Sequence, residues 1–336
     1  MSATVARLAA PAVAALTLAG CATTPPPPPG PRVSTAFTLE TDQPRTAAQL
    51  ALRFDHADLS FRVSPEARAL SAVAGLGFTA TAPVSQLAVE LDTVFDISAI
   101  AVDGMPVSAG HWANTDGHLT VDLPRALTTG ESVNLRIAYA GRPRVAPNPP
   151  WDGGFVWATT PDGRPWVATA VQGEGCDLFW PCIDHPLAEP NRVDLHITVP
   201  TGLSAPANGR LTGVVDQGDG WTTWSWSATR PNTYAVALDI APYVALSADY
   251  TGNTVPMIYW YLPTDDPDRA RALFDEFPRM LDFYEATVGP YPFGDEKMGV
   301  VSTPHLGMEH QTINAYGNGY RLDGRGFDWL LHHELS

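Results

Sequence analysis

Apolar and polar residues alternate at period two through most of the chain before residue 246, and this pattern restricts the fold more than any other feature. "DLSFRVSP" (58–65), "QLAVELD" (86–92), "HLTVDLP" (118–124), "SVNLRIAYAG" (132–141), "RVDLHITVP" (192–200) and "TYAVALDIA" (233–241) all show it. Clusters of turn-forming residues such as "DGMP", "NTDGH" and "TTGES" separate the runs. Successive strand side chains point to opposite faces, so alternation places one face in a core and the other in water. No helix-length periodic segment interrupts residues 35–246. An all-β sandwich or saddle is therefore predicted there, with antiparallel strands.

The pattern changes after "YWYLPTDD". Asp266 is placed to cap a helix with Pro267 at its first position, and Leu273, Phe277, Leu281 and Tyr284 recur at helical spacing. Pro278 falls inside that run and should kink or split it. "VGPYPFGDEK" (288–297) reads as loop, "MGVVSTPHLGMEHQTINAYG" (298–317) as strand, turn and strand, and residues 325–336 open another helix. An α/β segment thus follows the β region.

The N-terminal end has the layout of an export signal. Arg7 is the one charge in "MSATVARLAAPAVAALTLAG", and the apolar run is short for a membrane span. Leu18-Ala19-Gly20-Cys21 resembles the lipobox of bacterial lipoproteins, in which the chain is cut before the cysteine and the thiol is acylated. An ordinary signal peptide or a short anchor is the alternative. "ATTPPPPPGP" (22–31) favours extended polyproline II and reads as a stiff spacer. Ala22 after the cysteine points to outer-membrane sorting by the same resemblance. The expected organisation is a signal peptide (1–20), a lipidated cysteine and tether (21–34), a β domain (35–247) and the beginning of a second domain (248–336).

The chain carries a net charge of −16, and removal of the signal deletes one arginine and no acid. An acidic body without a basic cluster argues against nucleic acid as a partner. With Cys21 assigned to the lipid, Cys176 and Cys182 remain in an oxidising compartment, where a disulfide between them is possible. Lys297 is the only lysine, which reads as a bias of coding composition.

The chain closes on "FDWLLHHELS" (327–336), a His-Glu pair on an apolar run. Taken alone, the pair carries little information. It gains weight from "GPYPFGDEKMGVV", "LGMEHQT" and "QGEGCDLFWPCIDHP" (172–186), which precede it. In their order and approximate spacing, these four stretches resemble zinc aminopeptidases of the aminopeptidase N family, over roughly residues 35–336. The resemblance implies a mainly β saddle or sandwich domain followed by the start of an α/β thermolysin-like catalytic domain. The implied activity is hydrolysis of the N-terminal peptide bond of peptides.

What the family motifs imply for individual residues follows from their chemistry. A peptidase zinc takes three protein ligands and a water, and two histidines four apart on a helix reach one metal. His333 matches the first ligand and Glu334 the general base, with Leu335 and Ser336 in the two positions before the second histidine. The resemblance places that histidine, the third ligand (a glutamate) and an oxyanion-stabilising tyrosine beyond Ser336. His332 is on a different face and is the less suitable ligand. "LGMEH" (306–310) resembles the family's Gly-x-Met-Glu-Asn, with Leu306 where the first glycine is usual and His310 in place of asparagine. There Gly307 and Met308 would lie on an edge strand that receives extended substrate, and Glu309 would bind the substrate's free α-ammonium. Glu174 matches a second acidic contact to that amine, and Gln172 beside it shapes the first side-chain pocket; the alternative for this pair is a plain polar loop. Tyr316 and Trp329 read as core. The competing expectation for the whole protein is a lipid-anchored, non-catalytic binding module on the same scaffold.

Overall fold

The computed structural model describes residues 32–250 and 255–336, which belong to one compact unit. The signal peptide, Cys21 and the proline run lie outside the described residues. After a one-turn helix, α1 (Ala47–Leu50), thirteen strands follow. They are β1 (Leu52–Ser64), β2 (Ala69–Ala80), β3 (Val84–Glu90), β4 (Phe95–Val102), β5 (Met105–Pro106), β6 (Trp112–Thr115) and β7 (His118–Leu127). Then come β8 (Ser132–Gly141), β9 (Gly154–Thr159), β10 (Pro165–Ala170), β11 (Arg192–Pro200), β12 (Arg210–Asp216) and β13 (Trp221–Thr229). An eight-stranded sheet runs in the order β12-β13-β11-β1-β2-β8-β4-β5, beside a three-stranded sheet β3-β7-β6 and the hairpin β9-β10. Every neighbouring pair is antiparallel except β1 with β11, which runs parallel from His56↔Arg192 to Arg62↔Thr198.

Alternation becomes burial in β8, whereas residues 87–92, read as alternating, are buried on both faces. Val133, Leu135, Ile137 and Tyr139 of β8 are buried while Ser132, Asn134 and Arg136 face water. "TYAVALDIA" does not form the expected strand: it is a turn and irregular chain with isolated bridges at Ile240 and Ala241. Residues 235–243 are all buried, so the alternation there is not an alternation of exposure. Two of its N–H groups bond to side chains, Ala237 N to Asn208 Oδ1 (2.8 Å) and Leu238 N to Thr169 Oγ1 (2.9 Å). Such bonds satisfy a buried backbone without a ladder.

The segment after β10 is part of the core. Leu178, Phe179 and Trp180 are fully buried, and Tyr139 donates to the Phe179 carbonyl at 2.8 Å. Each such apolar side chain removed from water contributes about 1.5–3 kcal/mol. Cys176 and Cys182 form a disulfide with Cα atoms 6.3 Å apart, closing the loop inside this segment. Four buried acids surround it: Glu90, Asp92, Asp177 and Asp184. Glu90 exchanges backbone hydrogen bonds with Cys182 (2.7 and 3.1 Å) and accepts from the Gln49 amide and from Asp184 N. Burial pushes Glu90 up to about 7 from 4.5 and Asp184 up to about 6 from 3.8, and lifts Asp177 well above its ordinary value.

A carboxyl whose folded pKa is raised stabilises fully below its unfolded value. That contribution is lost as pH rises through the folded value. The thermal midpoint is therefore expected to fall between about pH 4.5 and 7, and to be lower at pH 8 than at pH 5. Asp177→Asn should flatten that slope; a midpoint that rises over the interval in the parent protein would refute the assignment.

The second sheet contains β14 (Val244–Tyr250), β15 (Val255–Tyr261), β16 (Met298–Ser302), β17 (Gly307–Met308) and β18 (Asn314–Tyr316), in the order β14-β15-β16-β18-β17. A division after residue 247 falls inside β14, whose pairing with β15 runs from Val244↔Tyr261 to Tyr250↔Val255. The run splits at Asp275–Glu276 into two helices, α2 (Pro267–Phe274) and α3 (Phe277–Val288), with Pro278 in the first turn of α3; their apolar faces pack with Tyr259, Met298 and Val300. Asp266 caps α2 as expected. The last helix is α4 (Trp329–Leu335).

Lys297 has a structural place that composition did not reveal. Its fully buried ammonium donates to the carbonyls of Ala207 (2.7 Å) and Gly209 and lies 4.8 Å from the centre of the Trp226 ring. It joins the strand leading to the candidate site to the β region. Asn208 and Gly209 reinforce the same seam through Gln311 O (2.8 Å) and Thr312 Oγ1 (2.7 Å).

Candidate active site

Helix α4 is held at its start. Asp328, fully buried, accepts from Leu330 N (3.1 Å) and Leu331 N (3.3 Å), which caps two of the N–H groups that lack partners inside a helix. The same carboxylate accepts from Tyr316 Oη (2.5 Å) and Asn318 Nδ2 (3.0 Å), so it is fixed from β18 and the following loop. Tyr284 of α3 donates to the His332 carbonyl at 2.8 Å. With Leu330 and Leu331 buried, the helix has one rotation, and His333 and Glu334 reach a cavity of about 330 Å³. His332 lines a different groove with Glu276 and Phe327.

Three separated stretches meet in that cavity: Gln172 and Gly173 from the exposed turn after β10, Leu306 to Glu309 at the sheet edge, and Trp329, Leu330, His333 and Glu334 from α4. Pro150 and Trp151 complete the rim. β17 is the outermost strand of its sheet and pairs with β18 on one side, Gly307↔Tyr316 and Met308↔Ala315. Gly307 is required by close approach. A Cβ there would lie 2.1 Å from Glu334 Oε1 and 2.9 Å from Leu330 Cδ1, so a side chain would displace the Glu334 carboxyl from its place against the strand.

Glu309 is half-buried and accepts two hydrogen bonds on Oε1, from Gln172 Nε2 and from Tyr234 Oη at 2.7 Å. Glu334 is buried, its Oε2 has no hydrogen-bond partner, and its pKa is pushed up to about 8 by burial and then by the charge of Glu309. Two carboxylates in one cavity, one with an orphaned oxygen, make a site for cations. Glu174 does not line the cavity. It is buried beside Gly153 and Asp152, where burial raises its pKa against the Gly153 N–H and the Arg144 guanidinium. His310 is wholly buried and His305 nearly so. Desolvation holds them neutral, with pKa values lowered to about 3 and about 4.

Several participants were not found by sequence reasoning. Trp329, read as core, is 44% exposed and lines the cavity, its ring centre 6.4 Å from that of His333. Tyr316 is core but also orients the Asp328 cap. Tyr234, Pro150 and Trp151 carried no motif.

The residues present match the first part of a zinc peptidase site. His333 supplies an imidazole at the cavity, and the unpaired Glu334 oxygen lies beside it. A catalytic zinc takes three protein ligands, and among the residues lining this cavity His333 offers the one imidazole. Among the described residues, the one grouping at metal-ligand spacing is Cys176, Cys182 and Asp184, where the disulfide occupies both sulfurs.

Comparison with known proteins agrees with this arrangement. The profile of the Peptidase M1 N-terminal domain matches residues 54–234, just over half of the sequence. A two-domain M1 zinc metallopeptidase mutant bound to L-arginine is 25% identical with a TM-score of 0.71, covering 90% of this chain and 67% of that one. An M1 zinc metallopeptidase from Deinococcus radiodurans is 26% identical with a TM-score of 0.68, covering 85% and 63%. A mutant of the Deinococcus radiodurans M1 zinc metallopeptidase bound to a Tyr-Ser-Ala substrate is 28% identical with a TM-score of 0.69, covering 85% and 64%. The chain thus spans about two thirds of the length of these structures. Curated protein sequences give no match. With its β region matched by that profile and most of its length superposing on those enzymes, the chain belongs to the M1 family of zinc metallopeptidases, the aminopeptidase N family its motifs resemble.

Proposed function

We propose that the complete protein is a zinc aminopeptidase that removes the N-terminal residue of peptides. One observation carries this reading: Glu309, held by two donors from the β region, opens on the same cavity as His333 and Glu334. His333, with ligands C-terminal to Ser336, would hold the zinc, which when bound lowers the pKa of a water toward about 7. Glu334 Oε2 is unpaired and placed to take a proton from water in the cavity and pass it to the leaving amine. Glu309 binds the α-ammonium of the first residue and so sets the register of cleavage. The free edge of β17 offers backbone groups to an extended peptide as an added strand. Peptides with a free N-terminus are the expected partners.

The test compares substrates that differ only at the amine. Peptides with a free N-terminus should be cleaved by the full-length protein, and their N-acetylated counterparts cleaved at least about a hundredfold less efficiently, since acetylation removes the charge that Glu309 anchors. Equal rates on both would remove the exopeptidase reading while leaving the family assignment intact.

The export and anchoring reading rests on Leu18 to Cys21 and the proline spacer alone. Among the described residues no helix is long and apolar enough to cross a membrane. Lipid attachment at Cys21, with the body held at the outer membrane, predicts palmitate labelling that Cys21→Ser abolishes. Unlabelled, detergent-independent protein would overturn it.

A further inference from the structure

Tyr234 enters the cavity region from the β side, in a turn after β13. Its ring packs against Ala170 at the end of β10, Met308 of β17 and Ala315 of β18, so both sheets fix its position. The turn is tied down by the wholly buried Asn208. The Asn208 amide donates to Ala235 O (2.7 Å) and to Gln311 O (2.8 Å), and its oxygen accepts from Ala237 N (2.8 Å). One side chain thus links the backbone just after Tyr234 to the backbone just after Glu309.

The hydroxyl of Tyr234 donates at 2.7 Å to Glu309 Oε1, the oxygen that also accepts from Gln172. Burial, and next the Glu309 carboxylate itself, raise the tyrosine pKa, so the phenol remains a donor. Two donors on one carboxylate oxygen hold the side chain in a single rotamer. They leave the other oxygen to an incoming cation.

We propose that Tyr234 is a positioning residue for the ammonium subsite: it holds the Glu309 side chain aligned through Oε1, with Oε2 left to the substrate's α-ammonium. The inference rests on Glu309 being the amine anchor. It adds that the anchor's affinity is set from the β domain, across the contact between the two sheets. The residue does not touch the reacting atoms. Its loss should therefore weaken binding of a free amine and leave turnover of bound substrate nearly unchanged.

The test uses the full-length protein and leucinamide as probe, with N-acetyl-leucinamide as the neutral control. In metal-depleted protein, Tyr234→Phe should weaken leucinamide binding about tenfold by calorimetry, the scale of one hydrogen bond to a charged group. Binding of the neutral control and the thermal midpoint should not move. In the loaded enzyme, KM for a leucine anilide should rise by a similar factor with kcat within about twofold. Gln172→Leu, at an exposed position, removes the other donor from the same oxygen; it should weaken the same probe, and the double variant more than either. Unchanged leucinamide affinity in Tyr234→Phe would overturn the proposal, as would equal losses for both probes or a fall in kcat at constant KM. Glu309→Gln separates the two levels. If it abolishes leucinamide binding while Tyr234→Phe does nothing, only the role of Tyr234 fails. If it too leaves binding intact, the amine-anchor reading fails beneath it.

Discussion

Glu334→Gln, made in the full-length protein, is expected to lower kcat by about 10²- to 10⁴-fold, the range that a positioned general base contributes. The amide keeps the size and shape of the side chain, so the strand–helix contact at Gly307 is preserved and the fold should be unaffected. His333 is untouched, so the metal content measured on the purified variant should equal that of the parent. Near-parental turnover would remove Glu334 from the chemistry, and loss of metal with turnover would make it a ligand instead of a base. The buried Glu334 Oε2 has no hydrogen-bond partner, which suits a base, because that oxygen is free to accept a proton.

Glu309→Ala should cost about 3 kcal/mol in kcat/KM for substrates with a free amine, somewhat over a hundredfold, because a desolvated ammonium would be left without its counter-charge. N-acetylated substrates should be affected little, since they never used the anchor. The ratio of the two effects is the informative quantity. Equal losses on both substrate types would show that the variant had disturbed the edge strand instead. Glu309→Ala also removes the charge that, after burial, raises the Glu334 pKa.

The parts of the site that were legible are those whose chemistry is local. His333 and Glu334 stand side by side on a helix, and Glu309 follows Gly307 and Met308 on a strand. In each case a few consecutive residues define the element and the functional group together. The strands at 132–141 and 192–200 were equally plain, because a half-buried strand writes its exposure into the sequence. "TYAVALDIA" was misread for the complementary reason. A wholly buried chain that bonds to Asn208 and Thr169 can show alternation without having a wet face.

Tyr234, Lys297 and Trp329 were not legible as participants. Tyr234 meets Glu309 across 75 positions, and Lys297 meets Ala207 across 90. No periodicity or spacing rule connects residues at such distances. Trp329 sits on an apolar helix, where an aromatic residue ordinarily faces the core, and only the rotation imposed by the Asp328 cap and the buried Leu330 and Leu331 turns it toward the cavity.

The sequence by itself determined the β pattern, the change to mixed structure after residue 266, the order of the motifs and the chemical types offered to the site. These follow from side-chain periodicity and from groups adjacent along the chain. Only the tertiary structure decided that Gln172, Glu309, His333 and Glu334 share one cavity, that Glu174 packs beside Gly153 and is not among its lining residues, and that Tyr234 donates a second hydrogen bond to Glu309. Those outcomes depend on how two sheets pack, through the absent side chain at Gly307, the Asn208 amide and the buried Lys297 ammonium, and packing between distant segments leaves no local signature.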